Sequence, residues 1–188
     1  VWANEKALAA HDHADRRVGY VDWESRRDVD EHYQHYAGTP PIPLLYALRE
    51  ALDMIFEEGL ENVWQRHEVL AGAVWAAVDA WSTADGLSCN ISEPAHRSHA
   101  ITTILAGSID SDELRMRAER DAGLTLGLGI GDPQQPRFRI GHMGHLNPPM
   151  LLGTIGTVEA TLHSMGAPVG SSGAAAAAAH IGRAMSMA

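Results

Sequence analysis

The stretch Arg137 to Gly166, RFRIGHMGHLNPPMLLGTIGTVEATLHSMG, constrains the fold more than any other part of the chain. Phe138, Ile140 and His142 alternate with Arg137, Arg139 and Gly141, the period-two pattern of a half-buried strand. Arginine therefore lands on a strand face. After two glycines, Asn147 can cap a helix whose first residue is Pro148, where the missing N–H costs nothing and the fixed φ helps. The spacing predicts that this helix runs to Met165, with Gly166 as a left-handed stop and Pro168 barring continuation. A planar guanidinium held on a strand beside a glycine bend suits bidentate recognition of a carboxylate.

The rest of the chain can be laid out around that unit. Asn4 caps a predicted helix from Glu5 to Ala14. Val18 to Trp23, VGYVDW, is rich in β-formers and reads as a short strand. Glu24 to Glu31 reads as a loop or a ragged helical turn. In HYQHYAGTPPIP, Gly38, Pro40, Pro41 and Pro43 argue against regular structure and for a rigid, extended connection carrying Tyr36 and Thr39. Leu44, Leu45, Leu48, Leu52 and Ile55 then recur at helical steps as far as Glu57-Glu58-Gly59. A second helix is expected from Glu61 to about Trp81, with Val63, Trp64, Leu70, Val74, Val78 and Trp81 as its buried stripe.

Ser82 to Pro94 is a polar loop. From Arg97 the expected order is strand, helix, strand, strand, helix. The first strand places Ile101, Thr103 and Leu105 on one face. Its helix opens on a capping box of Asp110 and Glu113, ends near Ala122 and stops at Gly123. LTLGL is a short strand, GIGDPQQP is a turn-rich loop, and the arginine strand and the helix from Pro148 follow. This is an α/β or α+β layer with helices packed on a small sheet. The tail SSGAAAAAAHIGRAMSMA opens with a serine cap and a run of strong helix formers, then frays.

Hydrophobic content of 45% in 188 residues excludes disorder and allows one good core, or one domain with part of another. A formal charge of −10 and a pI near 5.5 argue against nucleic acid or an anionic membrane as partner, because both select a basic face. No apolar run has the length of a membrane span and the N-terminus lacks a secretory pattern, so a cytoplasmic location is expected. The lone Cys89 has no internal disulfide partner and reads as a buried or idle thiol. The chain begins at Val1 and holds a single lysine, Lys6, in a polar–apolar helix pattern typical of surface decoration.

Pattern alone leaves Arg139 two readings: a carboxylate ligand, or a surface or interdomain ion pair on a face shared with Arg137. Tyr36 and Thr39 are likewise either ligand contacts presented at low entropic cost or partners in a hydrogen bond within their loop. The glycines of GLTLGLGIGD are followed by proline and glutamine, where a nucleotide fingerprint needs a helix, so a flexible turn is expected instead of a phosphate cradle. Among 11 histidines, His11-x-His13, His96-x-x-His99 and His142-x-x-His145 have ligand-like spacings. None is joined by cysteine or a second matched pair, so no metal site is expected. His142 and His145 are expected to pack near the arginine turn, where either could steer a substrate. Trp2, Trp23, Trp64, Trp75 and Trp81 are expected as core or interface anchors.

RFRIGHMGHLNPPMLLGTIGTVEA resembles the C-terminal signature of class V, pyridoxal-phosphate-dependent aminotransferases, in particular the alanine/serine–glyoxylate group. TPPIPLLYALREALDMIFEEGLENVWQRH is similar to the segment by which that group leads into its small domain, and weaker similarity runs from about the N-terminus to about Gly173. The resemblance implies the C-terminal part of a fold-type-I transferase, an α/β protein whose α+β small domain has a small sheet covered by helices, preceded by a long linking helix. Residues 1–43 would end the large cofactor domain and carry an interface loop, 44–81 would be linking helices, and 82–188 the small domain.

The resemblance further implies an enzyme that uses pyridoxal 5'-phosphate to move an amino group from serine or alanine to glyoxylate. Alternatives are another substrate pair, aspartate–glyoxylate or pyridoxamine–pyruvate, or a non-catalytic dimerisation or small-ligand module. By resemblance, Arg139 holds the substrate α-carboxylate, and Tyr36 and Thr39 reach the cofactor phosphate of the partner subunit in a homodimer. The glycine turn would lie beside the substrate arginine. The Schiff-base lysine precedes the matched region in the family, and Lys6 is not assigned to it. The chain is therefore expected to be the C-terminal portion of a longer enzyme, inactive alone, with no catalytic residue of its own.

Overall fold

The computed structural model describes residues 3–36, 38–132 and 134–186. The chain divides into two compact units, Val1–Glu57 and Glu58–Ala188.

The first unit is helical. Helix α1 (Glu5–Asp12) starts at Asn4, whose side chain accepts from the Ala7 N–H at 3.0 Å, as the capping pattern requires. Residues 18–23 form no strand: Val18, Tyr20 and Val21 are 61%, 75% and 73% exposed. Propensity there finds no neighbouring strand to pair with, and the segment instead turns back on Arg26, whose guanidinium donates to the Gly19 and Tyr20 carbonyls at 2.9 and 2.8 Å. The charged run contains a 3-10 turn, Glu24–Arg26, and a second one, His32–His35, forms inside the segment expected to be extended. Helix α2 (Ile42–Glu58) begins two residues before Leu44, because Pro43 sits in its first turn, where no N–H is needed.

The second unit holds the core. Helix α3 (Leu60–Trp81) buries Leu70, Val74, Val78 and Trp81 as its pattern predicts, whereas Val63 is half-buried and Trp64 is exposed. Four antiparallel strands follow in the spatial order β1 (Ser88–Cys89), β2 (Ile101–Leu105), β4 (Arg137–Gly141), β3 (Gly127–Leu128). β1 lies in the segment read from sequence as polar loop. Helix α4 (Ser111–Ala122) separates β2 from β3; Asp110 caps it by accepting from the Asp112 and Glu113 N–H groups, and Gly123 closes it in the left-handed conformation. Helix α5 (Pro148–Ser164) is capped by Asn147, which accepts from Met150 at 3.0 Å, and Met165 and Gly166 end it. The alanine-rich tail does not fray early: capped by Ser172, it forms helix α6 (Gly173–Met185).

One sheet face is buried and covered. Thr102, Ile104, Phe138, Ile140 and His142 are buried, and α3 and α4 pack against the sheet with α5 and α6 behind them. The opposite face carries Ile101, Thr103, Leu105, Arg137 and Arg139, all only partly buried. A carboxylate joins the helices: Glu159 of α5 accepts from the Trp81 indole N–H and the Ser172 hydroxyl, each at 2.8 Å, and from the Ala174 N–H at 3.0 Å. Gly173 lies against the Trp81 ring so closely that a Cβ there would overlap it.

Candidate active site

The register of β4 decides which side chains reach the open face. Arg139 lies between Thr103 of β2 and Gly127 of β3, and Arg137 opposite Leu105. Gly127 matters through its missing side chain, since a Cβ there would sit 3.0 Å from the Arg139 Cβ and crowd its stem. The Arg139 Nε donates to the Leu128 carbonyl at 2.7 Å. Among the described residues, no hydrogen bond or ion pair engages its two terminal nitrogens. The root of the fork is thus tethered while both prongs stay open, the arrangement that bidentate carboxylate binding needs.

Arg137 is the opposite case. Its guanidinium donates to the Gln135 carbonyl at 2.9 Å, the Gln135 side chain at 3.1 Å, the Asp132 carbonyl at 3.2 Å and the Asn90 side chain at 3.5 Å. The closely spaced glycines of the preceding loop therefore serve an internal contact: a Cβ on Gly129 would overlap the Arg137 stem and carbonyl.

His142 faces inward and is fully buried, so it does not steer a ligand on the arginine face. Its Nδ1 lies 3.0 Å from the His99 carbonyl, which can only accept, so Nδ1 carries the proton. Nε2 then accepts from the Thr102 hydroxyl at 2.9 Å, whose oxygen accepts from the Trp75 indole N–H at 3.0 Å. Burial pushes the His142 pKa below its ordinary value near 6.5. His145 is exposed, and its turn is held from α3 by Arg66, which donates to the Gly144 and Leu146 carbonyls and pairs with Glu58. Nothing in the spacing of polar residues points to Thr102 or to a main-chain oxygen at 128. The phase of His142 in the β4 alternation was the one available sign that its ring points inward.

Tyr36 and Thr39 belong to the first unit. Tyr36 is half-buried and Thr39 exposed; with Tyr33, Gln34, Gly38 and Pro40 they line a surface concavity, while Ala37 lies outside the described residues. Among the described residues, neither side-chain hydroxyl has a hydrogen-bond partner. Trp2 also lies outside the described residues. Cys89 is half-buried, and burial pushes its thiol pKa up, which suits an idle thiol.

The family model for aminotransferase class-V matches residues 16–130, which include Tyr36 and Thr39 and stop short of Arg139. The chain is 42% identical over 164 residues to serine–glyoxylate aminotransferase of Methylorubrum extorquens, covering 86% of this chain and 40% of the relative. It is 38% identical over 183 residues to serine–glyoxylate aminotransferase of Arabidopsis thaliana, covering 96% and 45%. The crystal structure of pyridoxamine–pyruvate aminotransferase from Mesorhizobium loti superposes with a TM-score of 0.71 at 27% identity, over 82% of this chain and 40% of that one. The chain thus spans 40% to 45% of the length of these curated relatives. Matched by the family model over more than half its residues, and sharing its fold with a solved aminotransferase, the chain belongs to the class-V aminotransferase family.

Proposed function

We propose that this chain is the C-terminal part of a pyridoxal-phosphate-dependent transaminase that moves the amino group of serine or alanine to glyoxylate, with Arg139 holding the α-carboxylate. The observation that carries this reading is the contrast between two arginines on one strand, Arg137 with its donors engaged by the protein and Arg139 with both terminal nitrogens open among the described residues. On this reading residues 1–43 end the large cofactor domain, 44–81 link, and 82–188 form the small domain.

The cofactor, when bound, supplies an electron sink for the reacting carbon. The residues here fit one end of it. Among the described residues, Tyr36 and Thr39 offer two unengaged hydroxyls in a proline-stiffened loop, suited to the phosphate of the partner subunit's cofactor in a homodimer. Lys6, the single lysine, is exposed on α1 and does not fit the aldehyde end, so covalent attachment is assigned to a lysine elsewhere in the enzyme. The task of Arg139 is then orientation: two parallel N–H donors fix the plane of the substrate carboxylate and so the direction of its α-carbon bonds.

In the full-length enzyme, Arg139→Ala should raise KM and lower kcat/KM by about 2–4 kcal/mol equivalents while the cofactor stays bound. Unchanged steady-state kinetics would remove Arg139 from the site. The structural similarity to a pyridoxamine–pyruvate aminotransferase favours a second reading, and the same variant separates the two. Serine, alanine and glyoxylate all carry a carboxylate, so both KM values rise; pyridoxamine carries none, so only the acceptor's KM would respond.

A further inference from the structure

The loop between β3 and β4 wraps one arginine and anchors the other. The peptide unit joining Leu128 to Gly129 has a neighbour on each side. Its carbonyl accepts from Arg139 Nε at 2.7 Å, and at Gly129 the backbone rests on the Arg137 stem so closely that no Cβ fits. Further along, the Asp132 and Gln135 carbonyls converge on the Arg137 guanidinium, and Gly131, at φ +126°, passes so near that a Cβ would lie 2.9 Å from Nη1. Asn90, just beyond β1, supplies another acceptor, and its own N–H donates to the Thr103 carbonyl of β2. β3 itself is only two residues long, so its ladder alone does little to hold residue 128 in place.

We infer that Arg137 is a positioning residue for carboxylate recognition: by gathering the β3–β4 loop around its guanidinium it sets the Leu128 carbonyl, which in turn aims Arg139. The inference rests on the reading of Arg139 as the carboxylate ligand. It assigns Arg137 no contact with substrate. A guanidinium is required at 137 because three separate nitrogens donate to four acceptors on Asn90, Asp132 and Gln135, and an ammonium point charge does not reach them together.

The test uses the full-length holoenzyme. Arg137→Met keeps the stem that supports Gly129 and removes the donors. It should raise KM for the carboxylate substrates and the inhibition constant of acetate by on the order of 10-fold, with kcat kept within about two-fold. Arg137→Lys should not restore either value. In the Arg139→Ala background, adding Arg137→Met should change KM no further, because its effect runs through Arg139. If Arg137→Met does not fold, Gly129→Ala carries the test, since its Cβ meets the Arg137 Cγ and carbonyl and so displaces the same peptide unit from the Arg137 side.

Four results would overturn the inference. One is an unchanged KM in Arg137→Met while Arg139→Ala loses affinity, which sinks the positioning role alone. Another is full recovery in Arg137→Lys, or equal KM increases with and without Arg139, either of which makes 137 a plain charge. The last is an unchanged KM in Arg139→Ala, which removes the underlying reading along with this one.

Discussion

At the scale of single residues, the two arginines of β4 were visible in the sequence as a pair on one face, but their difference was not. What separates them is the company of main-chain oxygens, supplied by a loop whose path no side-chain pattern records. His142 shows the same limit. Its inward phase could be read from the alternation with Phe138 and Ile140, yet its hydrogen bonds to Thr102 and His99 depend on packing. Because the folded state holds this ring neutral, with a pKa below its ordinary value, the unfolded chain binds more protons as pH drops below about 6.5. Stability should therefore be level above that point and decline below it. His180, also pushed down by burial, with Gly72 against its ring, adds to the decline in the same window. Urea unfolding at a series of pH values should show this slope, and His142→Gln should reduce it without abolishing it; an unaltered slope would mean that His142 is not the group titrating.

At the scale of elements, local signals served where an element is capped and long, and failed where it needs a neighbour. Asn4, Asp110, Asn147 and Ser172 each cap the helix their spacing announces, because a cap is a contact within four residues. Residues 18–23 have strand composition but no partner strand, while the two-residue β1 has little strand composition and gains its state from β2 alone. Helix α6 depends on Glu159 in another way. Burial works to raise the carboxyl's pKa, but the donors on Trp81, Ala174, Ser172 and Gly173 outweigh it and the net direction is down. Glu159→Gln should cost about 1–3 kcal/mol in chemical denaturation at neutral pH, since a charged acceptor of several hydrogen bonds becomes neutral. The depressed carboxyl contributes its stability above the unfolded pKa and loses it as pH falls through the folded one, so the penalty should shrink in acid. A penalty that stays constant down to pH 3 would show that the charge is not what matters.

At the scale of the whole molecule, the proposed reading divides the site between subunits: Arg139 would serve one cofactor, and Tyr36 and Thr39 of the same chain would serve the other. This makes a complementation experiment decisive. Full-length Arg139→Ala and Thr39→Ala variants, each impaired alone, should regain activity when refolded together, because a mixed dimer collects both lesions in one site and leaves the other intact. Random pairing restores roughly a quarter of the sites in a symmetric dimer. Recovery absent from a mixture shown to contain heterodimers would place Arg139 and Thr39 of one chain around one cofactor. A survey of substitutions along the entire polypeptide would, even so, overlook one participant. The oxygen that tethers Arg139 is common to all twenty amino acids, and Leu128, whose own side chain is 56% exposed, can be exchanged for many others without removing it. Mutational tolerance at 128 would then coexist with a strict demand on where its backbone lies.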